Sequence, residues 1–595
     1  MRILASSDLH MQLRSFDYYT DRKTEGAGMA RLATLIRRKR AKAEAQGHIV
    51  LTLDNGDSLQ GTPLDEQAIA ADDGPHIFYR ALDLMTYDAA GLGNHDFNFD
   101  LDHLSASLEG APLPILCANA RRLDGGSLPV ERWTVFDRVL QGSPLRVGVF
   151  SVLPPQTLIW DADHLAGRVA IDDITQTART AIAALQECGC DVIVALAHTG
   201  LGERHEKPGQ ENALWPLSTL DGLDAIVGGH THLRLPDPGA PVGSDTARGL
   251  LNGTPVVMPG VGGAHLGVID LDLARTATGG WAVASGQARL DPTHAGEDAD
   301  VTRITDPLHR ATRVWLSRRV GYTPVPLHSY FGFLAPSPAL ELVAGAKAHA
   351  LRALGCVPDD LPLLSAVAPA KMGGRGGPEN YVDIPAGPLN LRHVFDLCIF
   401  PNRLAAVIVT GTDLADWIEM SAGLFNTIAP GRGGQILLNP DRPAHGSDLF
   451  YGVEYTLDLT RPSRFGEDGV LVDPGHRRLT SLRYRGRDVR PEHRFAVALS
   501  SYRANGGGNV RALERATRFA IPNLLVRQCL LEYLDQNRFA DRAFRSPCQF
   551  NPIPGAEVIV ATGPGAAPYL GEISDINCGS DGLDANGFER LRLRL

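Results

Sequence analysis

The chain has 595 residues, too many for one hydrophobic core, so two large domains are expected. Hydrophobic residues make up 44% and charged residues 21%, and no apolar run is long enough to span a bilayer, which leaves an ordinary globular protein without a membrane partner. The formal net charge of −11 excludes a general binder of nucleic-acid polymers, which would show a basic face, but not a small anionic substrate, because bound cations override the global field locally.

In chain order, residues 2–7, 48–53, 88–92, 114–117, 145–152, 191–197 and 224–227 read as short buried strands. Residues 28–45 and 175–187 read as amphipathic helices between them. Strands alternating with helices imply a layered α/β domain, here residues 1–297. Residues 298–322 are polar, carry apolar residues at helical spacing and precede Pro324 and Pro326, which reads as a linker helix. A second α/β domain is expected over 323–545, followed by a Gly-, Pro-, Asp- and Ala-rich extension over 546–595. Met1-Arg2 leads straight into the first strand with no secretory leader, and the eight cysteines mostly stand singly, so a cytoplasmic protein with reduced thiols is expected.

The chemistry-bearing motifs each follow an apolar run. They are Asp8-Leu9-His10, Gly56-Asp57, Gly93-Asn94-His95-Asp96, His198 and Gly229-His230-Thr231-His232. Each alone has a plainer reading: a strand-to-turn cap for Asp8, turn chemistry for Asp57, a hydrogen-bonded core histidine for His198. All of them together, each at the end of a buried strand, are harder to explain as coincidence. Oxygen and nitrogen donors without thiolate suit hard or borderline divalent ions, and the set suffices for two ions plus one further histidine. Asp8 and His10 are one residue apart, as are His230 and His232, and in an extended chain such pairs face the same side. Asn94 and His95 are adjacent and should face different ways. Asp57 has two carboxylate oxygens with which to bridge two ions.

Three later stretches look like ligand contacts. Residues 368–378 combine glycines with Lys371 and Arg375, either for an anionic ligand or as a basic surface loop. Phe400-Pro401-Asn402 and the stretch 501–508 around Tyr502 supply two aromatics, which are either core residues or a pair that sandwiches a base.

The order Asp-x-His, Gly-Asp, Gly-Asn-His-Asp, His, Gly-His-x-His resembles the calcineurin-like metallophosphoesterase superfamily. The resemblance implies an αββα sandwich in which Asp8, His10, Asp57 and His232 hold one metal, and Asp57, Asn94, His198 and His230 the other. His95 would stabilise the transferring phosphoryl group or protonate the leaving oxygen. Two divalent ions are implied, Mn²⁺, Zn²⁺, Co²⁺ and Mg²⁺ all being compatible with the donors. Such ions lower the pKa of a shared water and hold the phosphate for in-line attack.

With its second domain the chain is similar to the 5′-nucleotidase family, and within it to the bifunctional 2′,3′-cyclic-nucleotide 2′-phosphodiesterase/3′-nucleotidases. That similarity rests also on Asp17-Tyr18-Tyr19, the stretches 55–61 and 419–423, and Tyr451-Gly452-Val453. It implies opening of a nucleoside 2′,3′-cyclic phosphate to the 3′-nucleotide, then release of nucleoside and phosphate. Phe400 and Tyr502 would stack on the base, Asn402 would hydrogen-bond base or ribose, and Lys371 and Arg375 would be further contacts. A monomer acting on a small nucleotide is expected. The alternatives are a 5′-nucleotidase or UDP-sugar hydrolase, a sulfur-oxidation thiohydrolase, or a nucleotide-binding protein without turnover. Asn98 departs from the Asp common in 5′-nucleotidases and leaves the partner of His95 unassigned. The family is usually exported, so a start upstream would imply a periplasmic location instead.

Overall fold

Strand Val192–Ala197 is buried at every position, and its side chains divide by parity. Val192, Val194 and Leu196 pack into one apolar layer, Ile193, Ala195 and Ala197 into another. A strand covered on both faces needs apolar residues throughout, which is why its sequence is a continuous run rather than an alternation. The computed structural model, which describes residues 1–69, 75–536 and 544–595, divides into two units, Met1–Leu316 and Ser317–Leu595.

The first unit is built on two sheets. One has six strands in the order Trp281–Pro292, His265–Arg275, Arg2–Ser6, Val50–Asp54, Ala89–Gly91 and Ile115–Leu116. The last four of these are mutually parallel. The other has seven strands, with Ser143–Val152, Val192–Ala197, Ala225–Gly228 and Thr254–Pro259 parallel at its centre. Ile3, Leu51 and Leu53 from the first sheet meet Val147, Val194 and Val227 from the second in one apolar layer. Helix Ile174–Glu187 buries Ala178, Ile182 and Leu185 on the far side of the second sheet, its first turn capped by the Asp173 carboxylate on the Gln176 N–H. Helix Met29–Ala45 buries Met29, Leu32, Ala33 and Ile36 and packs on the strands of the first sheet. The layering is therefore helix, sheet, sheet, helix, as the resemblance implies.

The stretch read as a linker forms helix Ala299–Leu316, and it lies within the first unit. Val301, Thr305, His309, Thr312 and Leu316 bury one stripe, packed on helices Met29–Ala45, Leu64–Ile69 and Ile77–Leu84. His309 Nδ1 also pairs with the Tyr18 hydroxyl at 2.7 Å.

The second unit has a five-stranded sheet in the order Leu449–Tyr451, Leu363–Val367, Arg494–Ser500, Leu404–Thr410, Thr517–Arg518. Helix Pro338–Leu354 packs on it, capped by Ser337, opened by proline and closed at Gly355 with φ 64°. The C-terminal extension folds as strands Glu557–Thr562, Asn577–Leu583 and Glu589–Arg594, in one sheet with Gln435–Ile436. Among the described residues no helix is long and apolar enough to cross a membrane.

Candidate functional site

The predicted ligands follow the C-terminal ends of parallel strands in both sheets, where open α/β sheets present their loops. Asp8 and His10 follow Arg2–Ser6, Asp57 follows Val50–Asp54, and Asn94 follows Ala89–Gly91. His198 follows Val192–Ala197, while His230 and His232 follow Ala225–Gly228.

The way they converge corrects the extended-chain expectation. Asp8, His10, Asp57, His230 and His232 all lie in the left-handed region, with φ of 53°, 49°, 55°, 66° and 57°. Each such backbone costs on the order of 1 kcal/mol, so the surroundings must impose it. The Asp8 N–H donates to the Gly56 carbonyl at 3.0 Å, the His10 N–H to the Asp57 carbonyl at 2.9 Å, and the His230 N–H to the Asp8 carboxylate at 3.0 Å. Glycine is required where the loops touch: a Cβ on Gly93 would lie 2.2 Å from Asp57 Oδ1, and one on Gly229 2.2 Å from Ser7 Oγ.

Two donor groups result, Asp8 with His10 and His232, and Asp57 with His198 and His230. In the first, His10 Nε2 and His232 Nε2 are 3.1 Å apart, and His232 Nε2 is 3.6 Å from Asp8 Oδ1. In the second, His198 Nε2 is 3.1 Å from Asp57 Oδ2, and Asn94 Oδ1 lies 2.8 Å from His230 Nδ1. Asp57 Oδ2 also lies 3.8 Å from His10 Nε2, so this atom faces both groups. Oδ1 of the same carboxylate accepts the His95 N–H at 2.7 Å. Of the two carboxylate oxygens, Oδ2 is therefore the one that faces both groups, while Oδ1 is occupied by the His95 N–H.

The residues fit divalent cations. Asp57 Oδ2 and His198 Nε2 are fully buried, yet neither makes a hydrogen bond with proper geometry. Such atoms are costly unless something else satisfies them. Burial opposes the charge on Asp57, but the imidazoles of His198, His95 and His10 hold its carboxyl well below the usual range. Burial likewise opposes a proton on His198, yet Asp57 and Asp8 drive its pKa up to about 10, which marks a place for positive charge. Burial keeps His10 and His232 below their ordinary values, so they are neutral, the form that binds metal.

The ligand rings are aimed from behind. His10 Nδ1 contacts the Gln60 carbonyl at 2.7 Å and His198 Nδ1 the Asn55 carbonyl at 2.8 Å, which leaves Nε2 of each to face the site. His230 is reversed: its Nε2 pairs with Glu211 at 2.9 Å and its Nδ1 faces Asn94. Asp96 lies outside both groups. Its carboxylate accepts N–H groups from Gly93, Asp57, Ser58 and Leu59 at 2.8–3.2 Å, tying the second motif to the third, and burial raises its pKa to about 6.

His95 belongs to neither donor group. Its ring lies edge-on to His10, with centroids 5.3 Å apart. Its Nδ1 meets Asn98 Oδ1 at 2.7 Å, so Asn98 is the missing partner. Asn98 Nδ2 in turn donates to both oxygens of Asp161, at 3.0 and 3.1 Å. Burial raises the Asp161 carboxyl to about 7 against the opposing pull of His95. Beside it, Trp160 stacks on His230 with centroids 5.4 Å apart and planes 20° from parallel. Sequence spacing does not reveal Glu211, Trp160 and Asp161: Glu211 lies in a loop, Trp160 ends the one-turn helix Thr157–Trp160, and Asp161 joins it to Ala162–Leu165, none of which carries a motif.

In the second unit, strand pairing brings two of the predicted stretches together. Leu404 pairs with Ser500, and just beyond it the Ser501 N–H donates to the Arg403 carbonyl at 2.8 Å. Asn402 and Tyr502 therefore sit at the same end of one antiparallel pair, with Phe400 two residues away, and both aromatics are half-buried. A Cβ on Gly507 would meet three ring atoms of Tyr502 at 2.5–2.6 Å, so backbone covers one face of that ring. Lys371 is committed to an ion pair with Asp396, in the helix Leu391–Leu397 that precedes Phe400. Arg375 is exposed on the short turn Gly374–Gly376.

Family models match both units. One described as calcineurin-like phosphoesterase covers residues 1–234, and one described as 5′-nucleotidase, C-terminal domain covers 336–515. The chain is 35% identical to the 2′,3′-cyclic-nucleotide 2′-phosphodiesterase/3′-nucleotidase of Salmonella typhimurium, over 88% of this chain and 84% of that protein. It is 34% identical to the trifunctional nucleotide phosphoesterase YfkN of Bacillus subtilis, over 97% of this chain but 40% of that longer protein. The putative 5′-nucleotidase of Staphylococcus aureus has the same fold, with a TM-score of 0.73 at 20% identity over 92% of this chain and 99% of that one. The chain belongs to the 5′-nucleotidase family, in which a calcineurin-like phosphoesterase domain precedes a 5′-nucleotidase C-terminal domain.

Proposed function

We propose that the protein hydrolyses nucleoside 2′,3′-cyclic phosphates to 3′-nucleotides and then to nucleoside and phosphate. Water adds across the P–O2′ bond in the first step, leaving the 2′-hydroxyl free, and across the P–O3′ bond in the second. The observation that carries this reading is the pair of donor groups faced by Asp57 Oδ2, with the His95 ring beside them and outside both sets. Asp8, His10, His232 and Asp57 would hold one divalent ion, and Asp57, Asn94, His198 and His230 a second. When bound, such ions supply an acidified water and draw charge from the phosphoryl oxygens. The chain's own part is to aim the ligands through Gln60, Asn55 and Glu211, and to present His95 to the oxygen that leaves. Tyr502, backed on one face by Gly507, would offer its other face to the base, and Phe400 and Asn402 would complete that contact. Lys371, held by Asp396, would act by positioning this region rather than by binding phosphate. Arg375 would contact substrate only from its surface turn.

A panel of 2′,3′-cyclic AMP, 3′-AMP, 5′-AMP and UDP-glucose tests the reading. The first two should be turned over fastest, chelation should abolish turnover, and Mn²⁺ or Co²⁺ should restore part of it. Preference for 5′-AMP or UDP-glucose would move the protein to another branch of the family. Full activity after chelation would sink the metal mechanism.

Tyr502→Ala tests the base contact separately. It should weaken nucleotide binding by about 1–3 kcal/mol, roughly one to two orders of magnitude in affinity. Bis-p-nitrophenyl phosphate has no base and should lose far less. Equal losses in kcat/KM on the two substrates would mean that Tyr502 serves the core and not the ligand.

A further inference from the structure

Asn98 stands between a histidine and a carboxylate, and the two hold it unequally. Its NH2 group donates to both oxygens of Asp161, at 3.0 and 3.1 Å, while its carbonyl faces His95 Nδ1 at 2.7 Å. An imidazole nitrogen can meet either end of an amide, because it donates or accepts according to tautomer. A carboxylate can meet only the NH2 end. Asp161 therefore decides which way the amide lies. With the carbonyl turned to His95, the proton sits on Nδ1, and Nε2 has a hydrogen to offer only when the ring is cationic.

We infer that Asp161 is a positioning residue for phosphoryl transfer, fixing the Asn98 amide so that His95 is held with Nδ1–H on the Asn98 carbonyl and Nε2 presented to the leaving oxygen. The inference rests on the assignment of His95 proposed above. It gives Asp161 the task of a buried carboxylate in an acid–base pair, exercised through one intervening amide. As the P–O bond breaks, the Nε2 proton passes to the departing oxygen and the ring becomes neutral, still anchored at Nδ1. The segment that carries Asp161 is itself placed by the site, since the neighbouring Trp160 stacks on His230. Asp161 lies near the start of a segment with no recognisable motif, 63 residues after Asn98, which is why sequence spacing does not reveal it.

The test uses the full-length protein with Asp161→Asn, Asn98→Asp and the double exchange of both. Asp161→Asn removes the charge and frees the amide to turn, so kcat on 3′-AMP should fall by about tenfold to a hundredfold. KM and metal content should stay within about twofold, since no donor atom changes. The loss on p-nitrophenyl phosphate should be at least about fivefold smaller, because its leaving group departs without a proton. The double exchange puts a carboxylate against Nδ1–H and an amide behind it: the His95 bond keeps its direction, and the bond between the two exchanged side chains reverses, the new amide donating to the new carboxylate. It should recover kcat to within about threefold of the parent, while Asn98→Asp alone sets two carboxylates against each other and should not. Equal losses on both substrates, no recovery in the exchange, or an undiminished Asp161→Asn effect in a His95→Ala background would each overturn the relay. Damage from His95→Ala beside an intact Asp161→Asn overturns the relay alone. Intact 3′-AMP turnover in His95→Ala overturns the His95 assignment as well.

Discussion

Asp57→Asn is expected to lower kcat/KM on every phosphate ester by on the order of a thousandfold or more. The substitution keeps the size of the side chain and changes one charge, but that charge faces both donor groups. Oδ2 lies 3.1 Å from His198 Nε2 and 3.8 Å from His10 Nε2, and Oδ1 takes the His95 N–H at 2.7 Å. An amide has only one acceptor end. If its oxygen keeps the His95 N–H, the NH2 points at two groups built for cations. If it turns over, the His95 backbone loses its acceptor and the catalytic loop its anchor. Either way a fully buried side chain loses the negative charge that offsets cation desolvation. Metal analysis of the purified variant beside wild type, with kinetics on bis-p-nitrophenyl phosphate, checks this. Two retained metal equivalents together with near-parental turnover would show that Oδ2 is not shared.

Much of this was legible in the sequence, and for physical reasons. Strands covered on both faces must be apolar throughout, so Val192–Ala197 and Ala225–Gly228 stand out without any alignment. Loops at the ends of such strands carry the polar residues, so all the donors that assemble lie where the motifs put them. What escaped was set by tertiary contact. Edge strand Trp281–Pro292 is exposed along much of its length and carries no continuous apolar signal. The helix Ala299–Leu316 was visible, but not the partners that make it part of the first unit. An extended chain predicts that Asp8 and His10 face one side, but left-handed backbone at both is what brings them together. Asp161 and Glu211 act on atoms far away in sequence, Asn98 and His230, so only coordinates reveal them. The positive charge of Lys371 marks a ligand contact or a basic loop in the sequence, and only the coordinates show it paired with Asp396.

His95→Ala should separate chemistry from metal binding more cleanly than any ligand change. The side chain stands outside both donor groups, and the backbone N–H that His95 donates to Asp57 is kept by alanine. Metal content should therefore match the parent. What disappears is the ring beside His10 that Asn98 and Asp161 hold in place. A positioned acid contributes about 10²–10⁴-fold to such reactions, so kcat on 2′,3′-cyclic AMP and 3′-AMP should fall within that range. Their leaving groups are ribose alkoxides, which depart poorly without a proton. Nitrophenolate departs readily, so the loss on p-nitrophenyl phosphate should be smaller, and the difference measures how much of the effect is proton delivery rather than charge on the phosphoryl group. Equal losses on good and poor leaving groups would assign His95 to the phosphoryl oxygens alone. A variant that loses a metal equivalent but keeps its turnover per remaining pair would make His95 part of the metal scaffold, and the division drawn here between donors and acid would be wrong.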